Sequence, residues 1–142
     1  MKPVDQLFPH DPENGIYGDC FRAVIASLLG VSAEEVPHFL HDNCDTTTFN
    51  SRISTYLKDF DLCYFECTVY DIKKWKELCR ITRPIYHIIT DKSPRFPDTY
   101  HSVIGCDGEI VHDPHPSKSG LPEVTKDRVF GFLIKLCNED MQ

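Results

Sequence analysis

The chain has 142 residues, 41% hydrophobic and 26% charged, with a formal net charge of −7, the length and composition of one ordinary globular domain spanning 1–142. The acidic balance argues against general nucleic-acid binding, and no stretch approaches the roughly 20 apolar residues of a membrane span. The first nine residues lack the apolar run of a signal peptide and the seven cysteines follow no regular spacing, so free thiols in the cytoplasm are expected.

Residues 1–18 read as an extended or looped segment, because Pro3, Pro9, Pro12, Gly15 and Gly18 interrupt any helix. Asp19 is a good helix N-cap, and Phe21, Val24, Ile25 and Leu28 then recur at helical spacing until Gly30. This predicts a largely buried helix over 20–29 in which only Arg22 breaks the apolar character. Ser32 to Glu35 carries a capping-box pattern that predicts a short second helix towards Phe39, and Thr46 to Lys58 reads as a third. Leu62 to Tyr70 alternates like a strand, with Cys63, Phe65, Cys67 and Val69 expected on one face against the core. Asp71 caps a predicted helix through about Arg80, with Ile72, Trp75, Leu78 and Cys79 as its buried side. Pro84 to Thr90 reads as a strand. Tyr100 to Cys106, the turn Asp107-Gly108 and Glu109 to Asp113 read as a β-hairpin. A Gly/Pro/Ser loop over 114–122, a last strand over Val129 to Cys137 and a frayed terminus complete the chain. Helices followed mostly by antiparallel strands argue for an α+β fold.

Cys20 lies at a predicted helix N-terminus, where the partial positive charge of the helix favours thiolate over thiol. Nucleophilic cysteine chemistry also needs a base and a group that orients the base. The hairpin supplies both. His101 opens its first strand and Asp113 closes its second, so the two open ends bring an imidazole and a carboxylate together. Histidines elsewhere compete: His87 reads as a core residue, His112 should face away from Asp113, and His115 lies in the following loop. A metal cluster of His112, Asp113 and His115 with His101 or Cys106 would need side chains from alternating faces to converge. No metal or other cofactor is therefore expected. His38 and His41 read as solvated.

Gly-Asp-Cys-Phe-Arg-Ala before an apolar helix, then His-Ser-Val-Ile-Gly, then His-Asp-Pro, resembles the papain-like cysteine peptidase superfamily, nearest to bacteriocin-processing double-glycine peptidases. The segments Val36 to Phe39, Ser93 to Arg95 and His112 to Pro116 are also similar to those of a group of small bacteriophage and bacterial proteins. The resemblance implies a papain-like fold with Cys20 as nucleophile, His101 as general base and Asp113 as orienting residue. It implies a thiol hydrolase acting on a peptide, a protein or a small amide or ester; a binding module and an acyltransferase are the other readings of the same fold. Papain-like enzymes carry a Gln before the cysteine as an oxyanion donor. Here the position six before Cys20 is Asn14, and Gln6, fourteen before, is the upstream glutamine. Gln6 is the expected donor and Asn14 the alternative. Asn14, Asp19, Arg95 and His115 are the candidate substrate-binding residues.

Overall fold

A computed structural model of the chain describes residues 1–68 and 71–137. Its frame is a five-stranded antiparallel sheet with three helices, an α+β arrangement. The helices are α1 (Cys20–Leu29), α2 (Thr46–Leu57) and α3 (Ile72–Leu78). The strands are β1 (Leu62–Cys67), β2 (Tyr86–Lys92), β3 (Tyr100–Cys106), β4 (Glu109–His112) and β5 (Val129–Lys135), in the order β1-β5-β2-β3-β4. The last strand in sequence thus inserts between β1 and β2, a pairing no local pattern announces. Val69, Tyr70 and the expected frayed end at 138–142 lie outside the described residues.

Helix α1 packs on β3 and β2, and α2 packs on β1. Phe21, Val24 and Ile25 of α1 close one core with Phe39, with Ile53 and Leu57 of α2, and with Ile88 and Ile104 of the sheet. Burying residues of this size contributes about 1.5–3 kcal/mol each, which makes α1 the element the domain is built around. Its end follows the expectation: Gly30 adopts the left-handed conformation and returns its N–H to Ala26 O at 2.9 Å.

Three expected elements differ. The second helix is one 3-10 turn over Ala33–Glu35. Its capping box forms, with Ser32 N–H donating to the Glu35 carboxylate at 2.8 Å. Pro37 then holds Val36 extended and stops the helix. On β1 the core takes Leu62 and Tyr64 rather than Cys63 and Phe65. The reason lies on the neighbouring strand, where the Tyr64 ring covers Gly131; a Cβ there would sit 2.4 Å from the ring. In α3 only Ile72 is buried, while Trp75, Leu78 and Cys79 are exposed. This helix is two turns long, and no other element covers its outer side among the described residues.

The hairpin of β3 and β4 fixes the geometry of the site. Asp107 and Gly108 both have positive φ, as a two-residue hairpin turn of this hand requires. Pairing starts as Cys106 with Glu109 and Gly105 with Ile110, then shifts so that Ile104 faces His112, leaving Val111 as the extra residue of a bulge. The shift decides side-chain phase. Continued without it, the register would set Asp113 opposite Ser102. With it, Asp113 follows opposite Val103, on the same side as His101.

Candidate active site

Cys20 is the first residue of α1, so its N–H has no partner within the helix and points out of the helix end. The expected cap does not form. Asp19 makes no side-chain hydrogen bond to the backbone N–H groups of the first turn. Its carboxylate, almost fully buried, instead accepts from Phe8 N–H at 2.8 Å and Leu7 N–H at 3.3 Å, with Arg22 at 3.6 Å. Asp19 N–H in turn donates to Phe8 O at 3.1 Å. The residue before the cysteine thereby straps the N-terminal arm across the helix end.

That arm is held along its length. Val4 N–H donates to Ser27 Oγ, His112 Nε2 donates to Val4 O at 2.9 Å, and Gln6 N–H donates to Pro114 O at 3.0 Å. Gln6, which the sequence leaves in a loop, is therefore buried. Its Nε2 donates to Phe8 O at 2.8 Å, and its Oε1 is buried without a protein partner among the described residues. One amide N–H remains for another acceptor.

His101 is nearly inaccessible to solvent. Its Nε2–H donates to Asp113 Oδ1 at 2.8 Å, which leaves Nδ1 as the ring nitrogen available to the Cys20 thiol on the same cleft. Burial works against a charged imidazole here, but the hydrogen bond with Asp113 and the nearby Cys20 outweigh it and raise the ring to about 9. Asp113 has three donors. Besides His101, the N–H of His115 reaches Oδ1 at 2.8 Å and the N–H of Gly120 reaches Oδ2 at 2.7 Å. Burial disfavours the carboxylate, yet these bonds hold it far below the usual carboxylate range. The loop after β4 thus folds back over Asp113 and fixes it as an anion beside the imidazole.

Cys20, His101 and Gln6 line one cleft of about 260 Å³. One wall is the arm at His10, Tyr17 and Gly18; the other is the 93–100 loop with Arg95 and Phe96, and His115 also lines it. The 93–100 loop closes on itself, since Ser93 N–H donates to Thr99 O and Ser93 Oγ accepts from the N–H groups of Arg95 and Phe96. Two candidate substrate-binding residues lie elsewhere. Asn14 is exposed in a 3-10 turn, where its side chain is taken up by Asp11 at 2.6 Å. Asp19 lies behind the helix end and is spent on the arm. Tyr17, Leu40 and Asn43 line the cleft without any sequence signal, because only the packing of the arm and the 40–43 turn brings them there. His38, read as solvated, ties the turn to the arm through Tyr17 O at 2.9 Å.

The other histidines part company with the site. His112 is committed to the arm, and His87 is fully buried under the sheet with Nδ1 on Ile85 O at 3.0 Å. Among the described residues no three His, Cys, Asp or Glu side chains converge as metal ligands. All seven cysteines are unpaired, and no described helix is long and apolar enough to cross a membrane. Comparisons with protein-family models, with curated proteins and with solved structures each return no match.

Proposed function

We propose that the chain is a cysteine-nucleophile hydrolase with a papain-like arrangement, cleaving an amide or ester through a thioester acyl-enzyme in the cytoplasm. The observation that carries this reading is the buried His101–Asp113 hydrogen bond near Cys20, the first residue of the most buried helix, with Cys20 and His101 lining one cleft. His101 Nδ1 takes the thiol proton, and the sulfur adds to the substrate carbonyl carbon. The oxygen that becomes negative is met by the Cys20 backbone N–H and by the free amide N–H of Gln6. The bond to the leaving amine or alcohol then breaks as His101 returns its proton to that group. A water, losing a proton to His101, adds to the thioester, and release of the acid restores Cys20. Asp113 keeps the proton on Nε2 and stabilises the imidazolium without itself becoming protonated.

The test is brief labelling with iodoacetamide near neutral pH, read by peptide mass. Cys20 should label ahead of the other six thiols. His101→Ala should remove that preference, His87→Ala should keep it, and Asp113→Asn should weaken it in part. Equal effects of the two histidine changes, or preferential labelling of Cys63, Cys79 or Cys106, would overturn the assignment. A Cys20 acyl adduct formed in cell lysate would name the acyl group by its mass.

A further inference from the structure

The cleft holds positive and donor groups that the proposed chemistry leaves unused. Arg95 donates from one guanidinium nitrogen to Ser117 Oγ at 3.1 Å. No carboxylate among the described residues lies within ion-pair distance of it, although the chain has 22 acidic residues against 15 Lys and Arg. The same Ser117 orients His115. Its N–H donates to His115 Nδ1 at 3.0 Å, and its Oγ lies 2.8 Å from that nitrogen. With Nδ1 accepting, the ring proton of neutral His115 sits on Nε2, where it has no protein acceptor among the described residues. Burial and the neighbouring Arg95 and His101 charges favour that neutral form. Lys118, the other nearby cation, is already paired with Asp5 and with Asp113 O. Among the described residues the one carboxylate lining the cleft is Asp98, on the same loop as Arg95.

The position of this pair defines which half of a substrate meets it. The His115 ring stands edge-on to His101, with centroids 6.2 Å apart. His101 is the group that hands its proton to the leaving group, so side chains that flank His101 flank that half. We infer that Arg95 and the Nε2–H of His115 form a subsite for a carboxylate on the leaving-group half of the substrate. The inference rests on the hydrolase reading above. A guanidinium offers paired N–H donors that match the two oxygens of a carboxylate, and an uncommitted Arg on a loop closed by its own hydrogen bonds is already oriented for it. Such a carboxylate has two sources, the C-terminus of a peptide or an acidic side chain next to the cleaved bond.

Three iodoacetyl reagents separate the possibilities, each followed by the rate of Cys20 alkylation. N-iodoacetyl-glycinamide is neutral, N-iodoacetyl-glycine carries a terminal carboxylate, and N-iodoacetyl-glutamic acid α-amide carries only a side-chain carboxylate. At least one acid should react about tenfold faster than the neutral reagent, the size expected for a charge-assisted contact in a cleft. Arg95→Gln should erase that advantage, bringing the acid rates down to the glycinamide rate measured on the same variant, and Arg95→Lys should retain part of it. The faster acid identifies the source of the carboxylate. An advantage that survives Arg95→Gln, no advantage in the unaltered protein, or a glycinamide rate that falls in step with the acid rates overturns the subsite. Failure of the hydrolase reading is a separate result, seen as a glycinamide rate at Cys20 that does not depend on His101.

Discussion

Gln6 and Asp19 carry the most testable consequences at the level of single residues. A buried amide with an unpaired oxygen is uncommon in folded proteins and is kept where another demand overrides packing. If that demand is the oxyanion, Gln6→Ala should lower kcat by about 10²–10³ on any substrate found, with iodoacetamide labelling of Cys20 nearly unchanged. Asn14→Ala should leave kcat unaltered, because Asn14 is exposed and committed to Asp11. Asp19 acts one step back, through the arm. Asp19→Ala removes the buried carboxylate that accepts from the N–H groups of Leu7 and Phe8, hydrogen bonds to a charged group being worth about 1.5–3 kcal/mol each. The arm should loosen, and limited proteolysis within residues 1–10 should become faster while the rest of the domain stays resistant. Turnover should fall through kcat as Gln6 leaves its place, and Asp19→Asn, which still accepts hydrogen bonds, should recover most of it.

Elements decide the site through the bulge between β3 and β4. Gly105 lies at the bulge, and a Cβ on it would stand 2.4 Å from His87 Nε2 and 2.7 Å from Ile89 Cδ1. Gly105→Ala should therefore lower stability by about 1–3 kcal/mol in urea titration. Part of the loss should be recovered in the Gly105→Ala, His87→Ala double variant, where the nearer obstacle is gone. An additive pair of effects would show that the strand bends away from His87 instead. Helix α1 contributes a different control. Cys20 takes its place from the packing of Phe21, Val24 and Ile25 below it, so cavities cut there should move the thiol as well as weaken the fold. Ile25→Ala should destabilise by about 2–5 kcal/mol and blunt the labelling preference of Cys20.

Across the whole molecule, buried titrating groups set how stability depends on pH. His87 is fully buried with Nε2 unpartnered among the described residues, and burial pushes it below its ordinary value of 6.5. The unfolded chain then binds a proton more readily than the folded one, so this contribution is present above pH 6.5 and is lost as pH falls below it. Asp113, also lowered, loses its contribution as pH falls below its ordinary 3.8. His101 has the opposite sign. Raised to about 9, it stabilises the fold below pH 6.5 and loses that contribution as pH rises through 9. Thermal unfolding followed against pH should show a stability maximum between these limits. His87→Leu should flatten the decline just below pH 6.5, and the stability gap between the unaltered chain and His101→Ala should narrow above pH 9.

Local chemistry is what the sequence by itself determined. Helix α1 begins and ends where apolar spacing and Gly30 place it, and the Asp107-Gly108 turn fixes the hairpin, because both are decided by residues a few positions apart. Cys20, His101 and Asp113 were legible for the same reason: one sits at a helix start and two at the ends of one hairpin. Tertiary structure alone decided the rest. Asp19 looks like a helix cap, but two backbone N–H groups eleven and twelve residues away compete for its carboxylate and win, since a buried charge takes the donors that exclude water. Gln6 reaches the cleft only because that contact and the bonds to Pro114 and His112 hold the arm across the fold. The core face of β1 was misread because alternation marks two faces without saying which is covered; Gly131 on β5 makes room for Tyr64 and settles it. Arg95 and His115 were expected on one cleft, but the link between them was invisible, because Ser117, which joins them, is 22 residues from one and two from the other, and only the folded loops make those separations irrelevant.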